Sequence, residues 1–287
     1  MKIILSRKGF DSSSGGVPNP ILPDGTLLPL PIPDAHSNIQ YKDLHSEALA
    51  SYDSSYSSLI ADLTNKRITA KQGAHLDPDL CPSHTRRTQQ WRPVFGQRGS
   101  ALGHLKKQAV GVGDLFLFFG VFREVELVDQ QWRFVKASSP RHIFWGWMQV
   151  EEVLLAAQAS EKYPWIDYHP HCQPKASSTD LLYLASVPAT SNKRTNKSLG
   201  AGIFSSVTDN HVLSDPDRRQ PSAWRLPYWF YPKDRTPLTF HANSERWKEA
   251  EGFCRLQSVA RGQEFVLDAA QYPQALAWAR QLIDGSE

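Results

Sequence analysis

The stretch Asp114-Leu115-Phe116-Leu117-Phe118-Phe119-Gly120-Val121-Phe122-Arg123-Glu124-Val125-Glu126-Leu127-Val128, with Trp132–Lys136 and His142–Val150 after it, decides the fold class. These runs are rich in aromatic and β-branched residues, hold no proline and are separated by turn signals, which marks them as strands. Read with turns at Gly120, Asp129-Gln130 and Ser138–Arg141, the runs Asp114–Phe119, Phe122–Val128, Trp132–Lys136 and His142–Val150 form four successive strands, a meander. Before this β-rich centre (about 110–150) lies a loop-rich part, 1–109. There Lys2–Ser6 reads as a buried strand, Asp24-Gly25 as a tight turn and Thr26–Ile32 as an edge strand because of Pro29 and Pro31. Ser54–Asn65 reads as a helix with Leu59, Ile60 and Leu63 on its apolar face. After the centre, in 151–287, Glu151–Ala159, Glu245–Glu251 and Pro273–Ile283 read as helices, and Leu181–Ala185, Phe253–Gln257 and Glu264–Leu267 as strands. The expectation is an α+β fold, mainly antiparallel, in one elaborated domain over 1–287 with peripheral helices.

Composition bounds the function. The chain has 287 residues, 40% hydrophobic and 21% charged, which excludes a disordered chain. No apolar run approaches the roughly 20 residues of a membrane span, so no membrane partner is expected. Cys81, Cys172 and Cys254 are far apart and form no CxxC pair, so they read as reduced thiols of a cytoplasmic protein. Met1–Arg7 has too short an apolar stretch for a signal peptide. Lys+Arg number 32 against 29 Asp+Glu, a net charge of only +3 that conceals two windows without an acid. Leu80–Gly113 carries Arg86, Arg87, Arg92, Arg98, Lys106 and Lys107, and Leu181–Thr208 carries Lys193, Arg194 and Lys197. Such windows attract phosphates.

Five constellations could carry chemistry. Ser6-Arg7-Lys8-Gly9-Phe10-Asp11-Ser12-Ser13-Ser14-Gly15-Gly16 follows a strand with cations, hydroxyls and free backbone N–H groups, as a phosphate cradle would; it is neither a Walker loop nor GxGxxG. His75-Leu76-Asp77-Pro78-Asp79 places three ligand or acid–base groups on one side of an extended segment, or is an Asp-Pro turn. His169-Pro170-His171 is an HxH metal candidate that needs a further ligand, for which Asp167 or His75 is available. Arg261-Gly262-Gln263-Glu264 could bind a base or phosphate, or close on itself as a salt bridge. Trp145-Gly146-Trp147 and Trp224 offer ring faces for stacking a base.

At these same residues the chain resembles the third family of nucleotide modification associated domains. The likeness runs from Ser6–Asp11, Gly15-Gly16 and Pro18 through His75–Asp79, Gly113–Gly120 and His169–His171 to Trp224–Pro227 and Arg261–Phe265. It implies an association with DNA base hypermodification in bacteria and phages, and no particular reaction. The Gly113–Gly120 strand and the Trp145-Gly146-Trp147 end of the meander also resemble PUA-like barrels, the fold of domains that read modified bases.

Three functions compete. The first is an enzyme acting on a nucleotide or DNA base, with Asp11, His75, Asp77, Asp79 and Glu264 in acid–base or metal chemistry and Arg7, Lys8, Ser12, Gly15, Gly16, Arg92, Arg261 and Gln263 holding substrate or phosphate. The second is a non-catalytic reader of a modified base, stacking it on Trp145, Trp147 or Trp224. The third is a metal-dependent nuclease using Asp77, Asp79 and Glu264. The enzyme is placed first, because acid, cation and hydroxyl groups recur in several loops rather than on one basic face. A nucleotide or nucleic acid is the expected partner; a divalent metal is compatible, with His169 and His171 as candidate ligands; the oligomeric state is open.

Overall fold

The computed structural model describes residues 1–173, 177–186 and 200–285. The basic residues Lys193, Arg194 and Lys197 of the second acid-free window lie outside them. The architecture is mixed α/β and mainly antiparallel, as expected of an α+β chain. Its centre is a seven-stranded sheet. The N-terminal strand Lys2–Arg7 lies between the long strand Leu115–Val128, to which it is parallel, and the late strand Glu264–Asp268, to which it is antiparallel. The long strand pairs with Arg141–Gln149, which pairs in turn with Ala201–Ile203. The far half of the long strand carries Gln131–Phe134 and Asn19–Ile21 as well. The sheet is open, with Ala201–Ile203 at one edge and Glu264–Asp268 at the other, so the closed barrel does not form.

The expected four-strand meander is replaced by three strands, and Gln131–Phe134 and Arg141–Gln149 both pair with the long strand rather than with each other. Gly120 does not turn the chain: Leu115–Val128 runs straight through it, with a register shift between Phe118 and Phe119 against the neighbouring strand. A glycine is needed there because a Cβ would stand 2.6 Å from the Lys8 carbonyl oxygen. Three other segments also differ from expectation. Glu152–Leu155 is a strand that precedes a helix at Ala156–Lys162, and Trp247–Ala250 is a strand rather than a helix. The proline-bearing edge shrinks to Ile32–Pro33, paired with Ala74–His75. The helices Tyr56–Leu63 and Ala275–Asp284 form where the periodicity places them.

A small sheet, Val94–Gln97 with Leu181–Leu184 and Glu152–Leu155, packs on the central one. Strand alternation divides its side chains. Phe95 and Tyr183 are register partners that face Phe116 and Phe118 of the long strand, with ring centroids 5.1–5.9 Å apart. Val94, Leu182 and Leu184 point away, to the helix Ala156–Lys162. The packing puts the end of Val94–Gln97 beside the point where Lys2–Arg7 ends and Glu264–Asp268 begins, and a cleft opens there.

Candidate functional site

The cleft has a volume of about 1090 Å³. Its wall is assembled from segments far apart in sequence: Arg7, Lys8 and Asp11 after the first strand, Asp34, His75 and Asp77, then Gln97 and Arg98, His171, and Arg261, Gln263 and Glu264.

At one end sits Glu264. It faces Ser6 across the strand pair, and its side chain is 1% exposed. Its Oε1 accepts from Lys8 Nζ at 2.8 Å and from Gln97 Nε2 at 2.7 Å. Its Oε2 is buried with no hydrogen-bond partner, and so is the Ser6 Oγ. A buried carboxylate oxygen without a donor is costly, by about 1–3 kcal/mol or more for a charged group. Glu264 thus does not close on Arg261, which is exposed at the rim. Arg7 is tethered by a hydrogen bond to the Ala260 carbonyl oxygen at 2.9 Å. The helix Gly99–Lys107 starts at the same rim, and Gly99, Ser100 and Ala101 line the cleft. No side chain caps that start and its first turn holds no acid, so its N–H groups and positive dipole end are available to an anion. His104 and Phe240 complete this end, their rings 4.4 Å apart, and burial lowers the pKa of His104.

At the other end imidazoles surround Asp77. Its Oδ1 accepts from the Gly96 N–H at 2.7 Å. Its Oδ2 lies 3.5 Å from His171 Nε2 and 3.8 Å from His75 Nε2. Each imidazole is held from behind by a carboxylate: His75 Nδ1 is 2.9 Å from Asp34 Oδ2, and His171 Nδ1 is 2.8 Å from Asp180 Oδ2. His169 is fully buried, with Nε2 3.4 Å from Asp77 Oδ1 and no hydrogen-bond partner. The bond from His75 holds Asp34 down at about 2. Burial would raise Asp77, but His169 and His171 keep it well below the usual carboxylate range. Burial disfavours charge on His171, yet Asp77 and Asp180 raise it; burial lowers His169. A glycine makes the cluster fit, because a Cβ on Gly96 would stand 2.2 Å from His171 Cδ2. The two ends are joined by consecutive residues of one strand: the Gly96 N–H holds Asp77, and the Gln97 side chain holds Glu264.

Arg7, Lys8, Asp11, His75, Asp77, His171, Arg261, Gln263 and Glu264 are therefore brought to one cleft, with His169 behind it. Other candidates stand elsewhere. Asp79 is in the core, where Arg87 at 2.6 Å and the Tyr168 hydroxyl hold it; the chain turns at Pro78 and bridges Val94, so alternation does not carry Asp79 to the side of His75 and Asp77. Arg92 is spent on Glu151, Glu152 and the Ala185 carbonyl oxygen. Ser12 is exposed outside the cleft. Gly15 and Gly16 shape the loop with positive φ, Gly15 lying against the Phe10 ring and Gly16 against Arg67. Within that loop Asp11 Oδ1 accepts from the N–H groups of Ser13 and Ser14. Trp145 and Trp224 are core rings, Trp224 wedged among Phe119, His142 and Phe265, and Trp147 stacks on Phe204. None of the three lines the cleft, so they offer it no stacking face. Asp167 is exposed and lies outside the cluster. The residues that sequence reasoning missed are Asp34, Gln97, His104, Asp180 and Phe240; of these Gln97 and His104 lie within the acid-free window Leu80–Gly113.

The family described as nucleotide modification associated domain 3 matches residues 2–268 of the chain. No curated protein and no solved structure matches it significantly. Among the described residues no helix is long and apolar enough to cross a membrane.

Proposed function

The chain belongs to the nucleotide modification associated domain 3 family, and from that premise we propose that the cleft is an active site that takes a nucleotide, free or within nucleic acid, and acts on its base. One observation carries the reading: a cationic rim and a buried carboxylate with an unpartnered oxygen share one cleft. Arg7, Arg98, Arg261 and the uncapped start of Gly99–Lys107 give the rim its positive potential. Glu264 supplies an acceptor for a ring N–H or exocyclic amine, and Lys8 balances its charge. Phe240, half exposed at the same wall, gives a base an apolar face. The imidazole–carboxylate cluster is the reactive end.

The enzyme reading is favoured over the reader because, of the tryptophans a reader would stack on, Trp145 and Trp224 are packed into the core, and Trp147, partly buried, stacks on Phe204 away from the cleft. The nuclease set of Asp77, Asp79 and Glu264 is not assembled, since Asp79 is tied to Arg87.

The test is a titration of labelled nucleotides and single-stranded oligonucleotides by fluorescence anisotropy at about 50 and 200 mM salt. The native protein should bind, more weakly at high salt. Arg7→Ala with Arg261→Ala should weaken binding at least about tenfold and flatten the salt slope, because both cations act on phosphate. A native protein that binds neither nucleotide nor nucleic acid at low salt would sink the proposal.

A further inference from the structure

We propose that His75, Asp77 and His171 form a mononuclear site for a divalent transition-metal ion, with open coordination positions facing the cleft. The three inward atoms are His75 Nε2, Asp77 Oδ2 and His171 Nε2, all within 4.8 Å of one another. Around a tetrahedral metal bound at about 2.0–2.2 Å, neighbouring ligand atoms stand about 3.3–3.6 Å apart, so the 3.5 and 3.8 Å separations from Asp77 Oδ2 are already close to that spacing, and the separation between the two imidazole nitrogens lies within 4.8 Å.

The outward atoms argue more strongly than the spacing. Each ligand is held at its other polar atom, His75 by Asp34, His171 by Asp180 and Asp77 by the Gly96 N–H. A carboxylate on Nδ1 sets the tautomer of each ring, directs the lone pair of Nε2 inward and raises its basicity, as outer partners do for metal-bound histidines. A cluster built only as a charge network would not need two imidazoles aimed at one carboxylate oxygen with a separate carboxylate behind each.

An independent observation comes from His169. Its Nδ1 accepts from the His171 N–H, which leaves Nε2 as the atom aimed at Asp77, fully buried and without a hydrogen-bond partner. His169 is a positioning residue: it presses on Oδ1 from behind, so that Oδ2 is the oxygen presented to the site. Gly96 makes room for both rings.

The ligand set selects the metal. Two imidazole nitrogens and one carboxylate disfavour calcium and magnesium, which take oxygen ligands, and suit zinc, iron(II), cobalt(II) or manganese(II). Three protein ligands leave positions for water or substrate, as in a catalytic rather than a structural site. The role of the ion in turnover rests on the function proposed above; its binding does not.

The test uses the full chain, stripped with chelator and titrated with cobalt(II) and zinc alone, with no nucleotide present. One equivalent of cobalt should bind and give d–d absorption bands, and zinc should displace it. His75→Ala and His171→Ala should each lose at least about tenfold in affinity, whereas His45→Ala, at an exposed histidine outside the cleft, should bind as the native chain does. Asp34→Asn leaves the ligands in place and should cost about 10–100-fold, which keeps the test informative if a ligand variant fails to fold. Native protein that binds neither ion, or binding unchanged by His75→Ala and His171→Ala together, overturns the site. Metal binding without nucleotide binding would uphold the site and reject the function proposed above; the converse would do the opposite.

Discussion

The smallest unit that reports on the cleft is the Lys8–Glu264 pair. It is buried, with Lys8 and Glu264 side chains 11% and 1% exposed. Removing one partner from such a pair is expected to cost more than the pair itself stabilises, because it leaves a buried charge uncompensated. Lys8→Met should therefore destabilise the chain by about 3 kcal/mol, read as a lower urea midpoint. Adding Glu264→Gln should recover part of the loss, since the remaining amide is neutral and Gln97 can still reach it. Additive losses in the double variant would mean that the two groups do not interact. Trp224 gives a second reading at this scale. Its Nε1–H donates to His142 Nδ1 at 2.8 Å inside the core. Trp224→Phe should cost about 1–3 kcal/mol through the orphaned imidazole nitrogen and lost packing, and should leave nucleotide affinity unchanged. A large loss of affinity in a correctly folded Trp224→Phe chain would return the ring to the binding site.

At the scale of elements, glycines decide where strands can pass side chains and backbone. Gly96 lies mid-strand against two imidazoles. Gly96→Ala should keep the sheet, because alanine tolerates an extended backbone, while displacing the His171 ring. Metal affinity should fall at least about tenfold with the far-ultraviolet circular dichroism unchanged; native affinity in this variant would mean that the ring positions are not critical. Gly120 shows the limit of reading strands from sequence. Within an apolar run a glycine is a breaker signal, so the run divides into two strands on paper. The chain keeps it in one strand because the Lys8 carbonyl approaches too closely for any Cβ. Glu152–Leu155 likewise looks like the start of the helix that follows it, and only pairing with Leu181–Leu184 makes it a strand. The extended character of 115–128, though not its continuity, the strand at Lys2–Ser6 and the helices at Tyr56–Leu63 and Ala275–Asp284 were legible because local composition and periodicity determine them. Of the cleft, the groups on contiguous motifs were legible: Arg7–Asp11, His75–Asp77, His169–His171 and Arg261–Glu264. Asp34 and Asp180 were not, because a carboxylate behind an imidazole is a contact made in space, 41 and 9 residues away, with no spacing to announce it. The position of Trp145 and Trp147 was not legible for a related reason: alternation tells which residues share a strand face, and not whether that face meets solvent or another sheet.

Across the whole molecule, buried histidines couple stability to pH. Burial drives His84 and His241 down to about 4 and His142 to about 3, from an ordinary value of 6.5. The hydrogen bonds agree with neutral rings: His142 Nδ1 accepts from Trp224, and His241 Nε2 accepts from the Val259 N–H. A proton on either nitrogen would replace an acceptor with a donor facing a donor. The folded chain therefore resists protonation while the unfolded chain accepts it near 6.5. Between that value and about 4 the unfolded state binds more protons, so stability falls as pH falls. It is fully present above about 6.5, and each ring contributes a slope of about 1.4 kcal/mol per pH unit below it. Urea midpoints measured at pH 7.5, 6 and 5 should drop progressively, most steeply over the last interval. His142→Gln should reduce that slope by close to one proton, because glutamine offers Trp224 an acceptor that does not titrate in this range. An unchanged midpoint from pH 7.5 to 5 would show that the rings take up protons inside the fold, which the donors facing His142 and His241 oppose.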